Sequence, residues 1–230
     1  MSQSQTPETR YQEQTGRLAQ AVAAAGRPPG SVCLIAVSKR HPATAVRALA
    51  ALGQKDFGES YLDEAIEKQV ALDDLDLNWH FIGPIQSNKT RGIAEHFDWV
   101  HSVDRLRIAR RLNDQRPATR GPLRIFVQVN VDAEPQKSGV APEDLPALLA
   151  DLATLDRLEV VGLMTIPRPD PDPAAAADAF ARLRALRDAA STADRPLSML
   201  SMGMSGDLEQ AVASGATHVR VGTALFGPRD

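Results

Sequence analysis

The stretch Leu34-Ile-Ala-Val-Ser-Lys39 shows the unit from which this chain is built. Four consecutive apolar residues are typical of a strand that is buried on both faces, as in a parallel sheet. The run delivers Lys39 to its carboxyl end, and Pro42 then opens a helical pattern that extends to Leu52. The segment therefore predicts a strand, a functional lysine at the strand end, and a helix that follows.

The same alternation continues to the end of the chain. Apolar runs predict eight strands, at residues 32–38, 57, 79–82, 99–101, 123–131, 158–163, 199–202 and 218–221. Helical patterns predict seven intervening helices, at residues 42–52, 61–72, 86–96, 104–113, 142–152, 173–190 and 207–214. A leading helix at 7–25 comes before them, and the proline-rich segment 168–173 is interpreted as a stiff loop. This count predicts an α/β fold, a single (β/α)8 TIM barrel with an extra N-terminal helix; a doubly wound sheet is the alternative.

Length and composition limit the kinds of partner. At 230 residues, with 43% apolar and 24% charged residues, the chain is typical of one soluble globular domain spanning residues 1–230, of which residues 1–5 are expected to be disordered. A net charge of −3 gives no general attraction to nucleic acid or to anionic membranes. Cys33 is the single cysteine, and no apolar stretch reaches the length of a membrane span. We therefore expect a cytoplasmic protein that binds neither nucleic acid nor membranes.

Small residues and hydroxyl groups follow the last two predicted strands. These segments are Ser201-Met-Gly-Met-Ser205-Gly206 and Arg220-Val-Gly222-Thr223. In a (β/α)8 barrel the carboxyl ends of the strands form the functional face, and phosphates commonly bind at the loops after strands seven and eight. Strand eight adjoins strand one in a closed barrel. We therefore expect Lys39 to lie beside a phosphate-binding cradle.

A reactive amine beside a phosphate cradle fits pyridoxal 5′-phosphate. A desolvated lysine amine can attack an aldehyde and form a Schiff base, and this cofactor carries both an aldehyde and a phosphate. Arg220 on strand eight, if it faces inward, places a permanent cation near the pyridine nitrogen or the phosphate. A cation near the nitrogen disfavours its protonation and weakens the electron sink. Alternatively, Arg220 pairs with an acid on a neighbouring loop.

Seven segments, in order along the chain, match a known family. They are Ala36-Val-Ser-Lys39, Phe57-Gly-Glu-Ser-Tyr61, His80-Phe-Ile-Gly-Pro-Ile-Gln-Ser-Asn-Lys89, Gln128-Val-Asn-Val131 with Lys137-Ser-Gly139, Gly162-Leu-Met-Thr-Ile-Pro167, Ser201-Met-Gly-Met-Ser205 and Val219-Arg-Val-Gly-Thr-Ala-Leu-Phe-Gly227. In these segments the chain resembles the pyridoxal phosphate homeostasis proteins (the YggS/PROSC family), which are similar to the N-terminal barrel of alanine racemase. The resemblance implies the fold type III barrel of pyridoxal phosphate proteins.

The resemblance also implies which residues hold the cofactor. The expected cofactor-binding residues are Lys39, Ser60, Met164, Ser201, Ser205, Arg220, Gly222 and Thr223. Among them, Lys39 carries the covalent aldimine, Ser205, Gly222 and Thr223 hold the phosphate, and Met164 lies near the ring face. The family usually has asparagine where this chain has Ser60, whose side chain is shorter. No metal ligand is expected.

Family members are regarded as carriers or buffers of pyridoxal phosphate that act in intracellular cofactor and amino-acid homeostasis, without established catalysis. The resemblance therefore implies a protein that is not an enzyme, with pyridoxal-phosphate-dependent apoenzymes as recipients. A monomer is expected, because the chain has no second domain to build a racemase-type dimer.

Two enzymes remain as alternatives. An amino-acid racemase of the alanine racemase type needs an acid opposite Lys39. The local candidates are Tyr61, interpreted as an exposed helix residue, and His80, interpreted as a core residue. A Schiff-base aldolase without a cofactor would use Lys39 and a phosphate-bearing substrate. His96 and His101 are interpreted as solvated loop residues rather than metal ligands.

Overall fold

The computed structural model describes residues 6–134, 136–168 and 172–228, so the expected disorder at 1–5 and the middle of the loop 168–173 lie outside the described residues. The strands are β1 (Cys33–Val37), β2 (Asp56–Glu59), β3 (Asn78–Phe81), β4 (Trp99–Val103), β5 (Leu123–Gln128), β6 (Leu158–Met164), β7 (Met199–Ser201) and β8 (His218–Val221). The helices are α1 (Pro7–Ala24), α2 (Ala43–Ala51), α3 (Leu62–Ala71), α4 (Thr90–His96), α5 (Leu106–Gln115), α6 (Leu145–Leu152), α7 (Pro173–Ala190), α8 (Leu208–Ala213) and α9 (Thr223–Phe226). Within these ranges, no helix has both the length and the apolar character of a membrane span.

The eight strands form a closed parallel barrel in sequence order. Its closure is made by β1 and β8, with Cys33 opposite His218 and Ala36 opposite Val221. A doubly wound sheet is open at both edges, so this pairing excludes it. The predicted (β/α)8 barrel with an extra N-terminal helix is confirmed.

Among the predicted boundaries that differ from the structure, two differ because a loop takes up part of the expected element. Helix α4 begins at Thr90 rather than at residue 86, since the amide of Lys89 and the hydroxyl of Thr90 bond to carbonyls of the preceding turn, at 3.0 Å each. Strand β5 ends at Gln128 rather than at residue 131. Beyond it, Val129 pairs with Val140 in an isolated bridge outside the named strands.

The barrel separates two layers of packing, because alternate residues of a strand face opposite sides. The main apolar core lies between the strands and the helices and includes Leu34, Ala36 and Phe57. Inside the barrel, Phe126 and Met164 belong to a smaller, separate cluster. Polar side chains share this interior, and they connect to the functional face.

Gly162 on β6 has no room for a side chain. A Cβ at this position would lie 1.9 Å from the carbonyl oxygen of Met199 on the paired strand β7. Gly162→Ala is therefore expected to lower the free energy of unfolding by about 3 kcal/mol or more, because backbone must move to admit the methyl group. The control is Gly16→Ala in α1, where a Cβ meets nothing within 4 Å. That substitution should raise stability by about 0.5–1 kcal/mol, and equal stability of the two variants in urea unfolding would contradict this account.

Candidate functional site

A cavity of about 370 Å³ opens where the carboxyl ends of the strands meet. Its lining residues are Val37, Lys39, Ser60, Ile82, Ile166, Met204, Ser205, Gly206, Arg220, Gly222 and Thr223. Six of the eight residues predicted to bind a cofactor are among them. The structure thus brings together an amine, a guanidinium and three hydroxyl groups from four separate segments of the sequence.

The guanidinium of Arg220, which lines the cavity, is held in place by two neutral oxygens. It donates to the hydroxyl of Ser201 at 2.7 Å and to the carbonyl of Thr165 at 3.0 Å. Burial lowers the pKa of Arg220 to about 10, an effect that the charge of Asp207 opposes, so the group remains a cation near neutral pH. Both bonds therefore favour the predicted inward position over a pairing with a loop acid.

Ser201 is also the first member of a hydrogen-bonded row that crosses the barrel interior. Its hydroxyl lies 2.7 Å from Nδ1 of His101, whose Nε2 lies 3.0 Å from Nδ1 of His80. Nε2 of His80 lies 3.1 Å from Oδ1 of Asp56, at the start of β2. The row consequently links Arg220 at the cavity to a carboxylate at the opposite end of the barrel.

The direction of these hydrogen bonds follows from the charges. Burial lowers the pKa of His80 and, well below its ordinary value, that of His101, so both rings are neutral. The pKa of Asp56 is also lowered: burial is the largest single effect and opposes ionisation, but the hydrogen bonds from His80, Asn78 and Cys33, together with the electrostatic effect of His80, outweigh it. An ionised carboxylate only accepts, so His80 donates to Asp56, His101 donates to His80, and Ser201 donates to His101. The hydroxyl of Ser201 thereby presents a lone pair to Arg220.

His101 corrects one prediction. It was expected to be a solvated loop residue, but it lies inside β4 and is fully buried. The sequence predicted that the strand ends at His101, but β4 continues to Val103. His101 is therefore an internal residue of the strand, and its side chain faces the barrel interior. The core position predicted for His80 is confirmed.

The two loops predicted to bind phosphate are held from outside by α1. Arg17 donates to the carbonyl of Ser205 at 2.7 Å, and Arg10 donates to the carbonyl of Leu225 at 2.9 Å. Among the described residues, none accepts a hydrogen bond from the backbone amide of Ser205 or Gly206. The two arginines were absent from the predicted site, although their spacing of seven residues already placed them on one helix face.

Comparisons with known proteins agree with the family resemblance seen in the sequence. The family described as "Alanine racemase, N-terminal domain" matches residues 14–230. A pyridoxal phosphate homeostasis protein of Pseudomonas aeruginosa is 60% identical over 214 residues, which cover 93% of this chain and 92% of the relative. One from Escherichia coli is 44% identical over 217 residues and covers 93% of each chain. This chain belongs to the pyridoxal phosphate homeostasis protein family.

A solved structure extends the likeness to the fold. PipY of Synechococcus elongatus, with PLP bound, is 43% identical and superposes with a TM-score of 0.79. The match covers 91% of this chain and 100% of that one. The family resemblance inferred from the seven sequence segments is therefore confirmed.

Two of the eight predicted cofactor residues lie deeper than the cavity lining. Met164 is fully buried and packs in the interior cluster with Phe126. Ser201 is also fully buried, and it reaches the cavity through its hydrogen bond to Arg220. Ser60 does line the cavity, and Gly83 packs so closely on it that a Cβ at 83 would lie 2.5 Å from the carbonyl oxygen of Ser60.

Proposed function

We propose that this protein binds pyridoxal 5′-phosphate in the cavity, with Lys39 as the covalent attachment point, and carries or buffers the cofactor without catalysing a reaction. The observation that supports this most directly is the presence of Lys39, Arg220 and the hydroxyl groups of Ser205 and Thr223 around one cavity. The proposal includes a cytoplasmic monomer that passes the cofactor to pyridoxal-phosphate-dependent apoenzymes.

The donor set fits this cofactor. The hydroxyl groups of Ser205 and Thr223 and the amides of Ser205 and Gly206 are suited to a phosphate, while Val37 and Ile82 offer apolar contact to a ring. When bound, pyridoxal phosphate supplies an aldehyde that condenses reversibly with an amine, and a ring that withdraws electrons. Arg220 disfavours a second positive charge in the cavity, because like charges repel in a buried site. This arrangement suits attachment and release better than carbanion chemistry.

The racemase alternative lacks support from its two local candidates. Racemisation by two bases needs an acid on the substrate face opposite Lys39. Tyr61 does not line the cavity; it is 46% exposed and its hydroxyl accepts a hydrogen bond from Arg40 at 3.3 Å. His80 is buried in the barrel interior, bonded to Asp56. Neither side chain is placed to serve as that acid, which favours a carrier.

Borohydride reduction of the cofactor-loaded protein tests the attachment point. We expect peptide mapping by mass spectrometry to find the reduced pyridoxyl adduct on the peptide that contains Lys39, because that amine lines the cavity. In parallel, the loaded protein is incubated with L-alanine in deuterated water, and no deuterium should enter the α-position. An adduct at any other lysine contradicts the site, and deuterium incorporation contradicts the carrier function.

A further inference from the structure

Lys39 lies in a strained four-residue turn. The turn is closed by the amide of His41, which donates to the carbonyl of Ser38 at 3.0 Å. Arg40, the third residue of the turn, has a φ of 63°, in the left-handed region. Side chains other than glycine rarely adopt this conformation, and where they do the surrounding structure must enforce it.

A buried ion cluster supplies that enforcement from both sides of Lys39. On the carboxyl side, Oε1 of Glu64 in α3 accepts from the amide of Arg40 at 2.5 Å. On the amino side, Nζ of Lys68 donates to the carbonyl of Ser38 at 2.7 Å. The same ammonium donates to Glu64 at 2.6 Å, so the two restraints are joined.

Glu59, the last residue of β2, completes the cluster. Its Oε1 accepts from the hydroxyl of Ser38 and from Nζ of Lys68, each at 2.6 Å. The side chain of Glu59 is fully buried and that of Lys68 is 6% exposed, whereas that of Glu64 is 27% exposed. Burying an ion pair contributes little net stability, because desolvation offsets the attraction. A positioning role therefore explains the cluster better than a stabilising one.

The cluster does not touch the cavity. Its three members are absent from the cavity lining, and Glu59 shares the outer face of β2 with the core residue Phe57. The cluster bonds directly to both sides of the turn that carries Lys39, so we expect its effect on a ligand to pass through that turn.

We propose that Glu59, Glu64 and Lys68 are positioning residues that hold the turn in its left-handed form and thereby direct the amine of Lys39 toward the cofactor aldehyde. This role rests on the proposed function, since it requires Lys39 as the attachment point. Loosening the cluster should weaken covalent attachment while leaving the contacts to phosphate and ring intact.

The test uses Glu64→Ala, because the partial exposure of Glu64 makes this variant compatible with folding. Pyridoxal phosphate is compared with pyridoxamine phosphate, which has no aldehyde and cannot bond to Lys39. We expect the dissociation constant of pyridoxal phosphate to rise about tenfold. This factor corresponds to the free energy that one residue other than glycine needs to adopt a left-handed conformation. The dissociation constant of pyridoxamine phosphate should stay within about twofold of wild type. The rate of chemical acetylation of Lys39 in the cofactor-free protein, read by peptide mass spectrometry, should also differ between Glu64→Ala and wild type.

Two further variants separate positioning from stability. Asp74→Ala breaks the exposed ion pair between Asp74 and Arg47, which lies away from the turn, and should change neither dissociation constant. In the Glu64→Ala background, Arg40→Gly should restore most of the lost affinity, because glycine adopts a positive φ without strain. Position 40 does not line the cavity, so Arg40→Gly should not restore affinity if Glu64 only stabilises the fold.

The outcomes distinguish this role from the function on which it rests. Wild-type affinity in Glu64→Ala, an equal loss for both ligands, or failure of Arg40→Gly to rescue would each overturn the positioning role. A wild-type protein that gives no borohydride adduct at Lys39 would overturn the proposed function, and the positioning role with it.

Discussion

Lys39→Ala is expected to abolish the visible absorption of the cofactor-loaded protein and to weaken pyridoxal phosphate binding by about a hundredfold or more. The cavity offers this one amine at the end of β1, and its loss removes the covalent bond while the hydroxyl groups and Arg220 remain. The measurements are the absorption spectrum of the loaded protein and the dissociation constant from equilibrium dialysis.

The size of this loss depends on the ligand. Pyridoxamine phosphate uses only the noncovalent contacts, so its affinity for Lys39→Ala should stay within about threefold of wild type. Lys55→Ala, which removes an exposed lysine paired with Asp76, is the matched control and should retain both colour and affinity. A coloured Lys39→Ala protein, or equal losses for both ligands, would contradict attachment at Lys39.

Much of the fold can be predicted from short stretches of the sequence. A strand buried on both faces must be apolar along its length, so runs such as Leu34-Ile-Ala-Val37 stand out without any knowledge of their neighbours. The site residues Lys39, Gly222 and Thr223 were predictable for a related reason. The barrel itself places the ends of its first and last strands side by side.

The contacts that support the site could not be predicted in the same way. Arg17 and the carbonyl of Ser205 are 188 residues apart, and nothing in either segment indicates the other. Glu64 and Lys68 have the spacing of an ordinary surface pair on a helix, which gives no sign that Lys68 is buried against Glu59. Such contacts depend on how helices dock on the barrel, and that docking is fixed by tertiary packing.

The barrel interior predicts a strong loss of stability in acid. His80, His101 and His218 are all buried inside it, and burial lowers the pKa of each, for His218 to about 3. Repulsion from His80, once that ring takes up a proton, and from Arg220 lowers the pKa of His218 further, while the charge of Asp56 raises it. On unfolding, each ring regains its ordinary pKa of about 6.5. Below that pH the unfolded chain therefore binds more protons than the folded protein.

Acid is expected to destabilise the folded protein. The stability that the neutral histidines contribute is fully present above about pH 6.5 and is lost as the pH falls below it, because the unfolded state binds protons that the folded state does not bind. A histidine that stays neutral throughout this range contributes a slope of up to about 1.4 kcal/mol per pH unit, so His101 and His218 together give up to about 3 kcal/mol per pH unit, and His80 acts in the same direction. The free energy of unfolding of the cofactor-free protein, measured in urea at a series of pH values, should therefore fall steeply toward pH 5.

His218→Phe tests the origin of this slope. Phenylalanine suits the site, because the ring centroid of His218 lies 5.2 Å from that of Phe126 and 5.4 Å from that of Trp99. The variant cannot take up the proton, so its slope should be smaller than that of wild type by about 1.4 kcal/mol per pH unit, with the urea m-value unchanged. The two stability curves should converge as the pH falls from neutrality, even if phenylalanine is less stable there. An unchanged slope would mean that His218 does not stay neutral in the folded barrel, and would contradict its share in the loss of stability in acid.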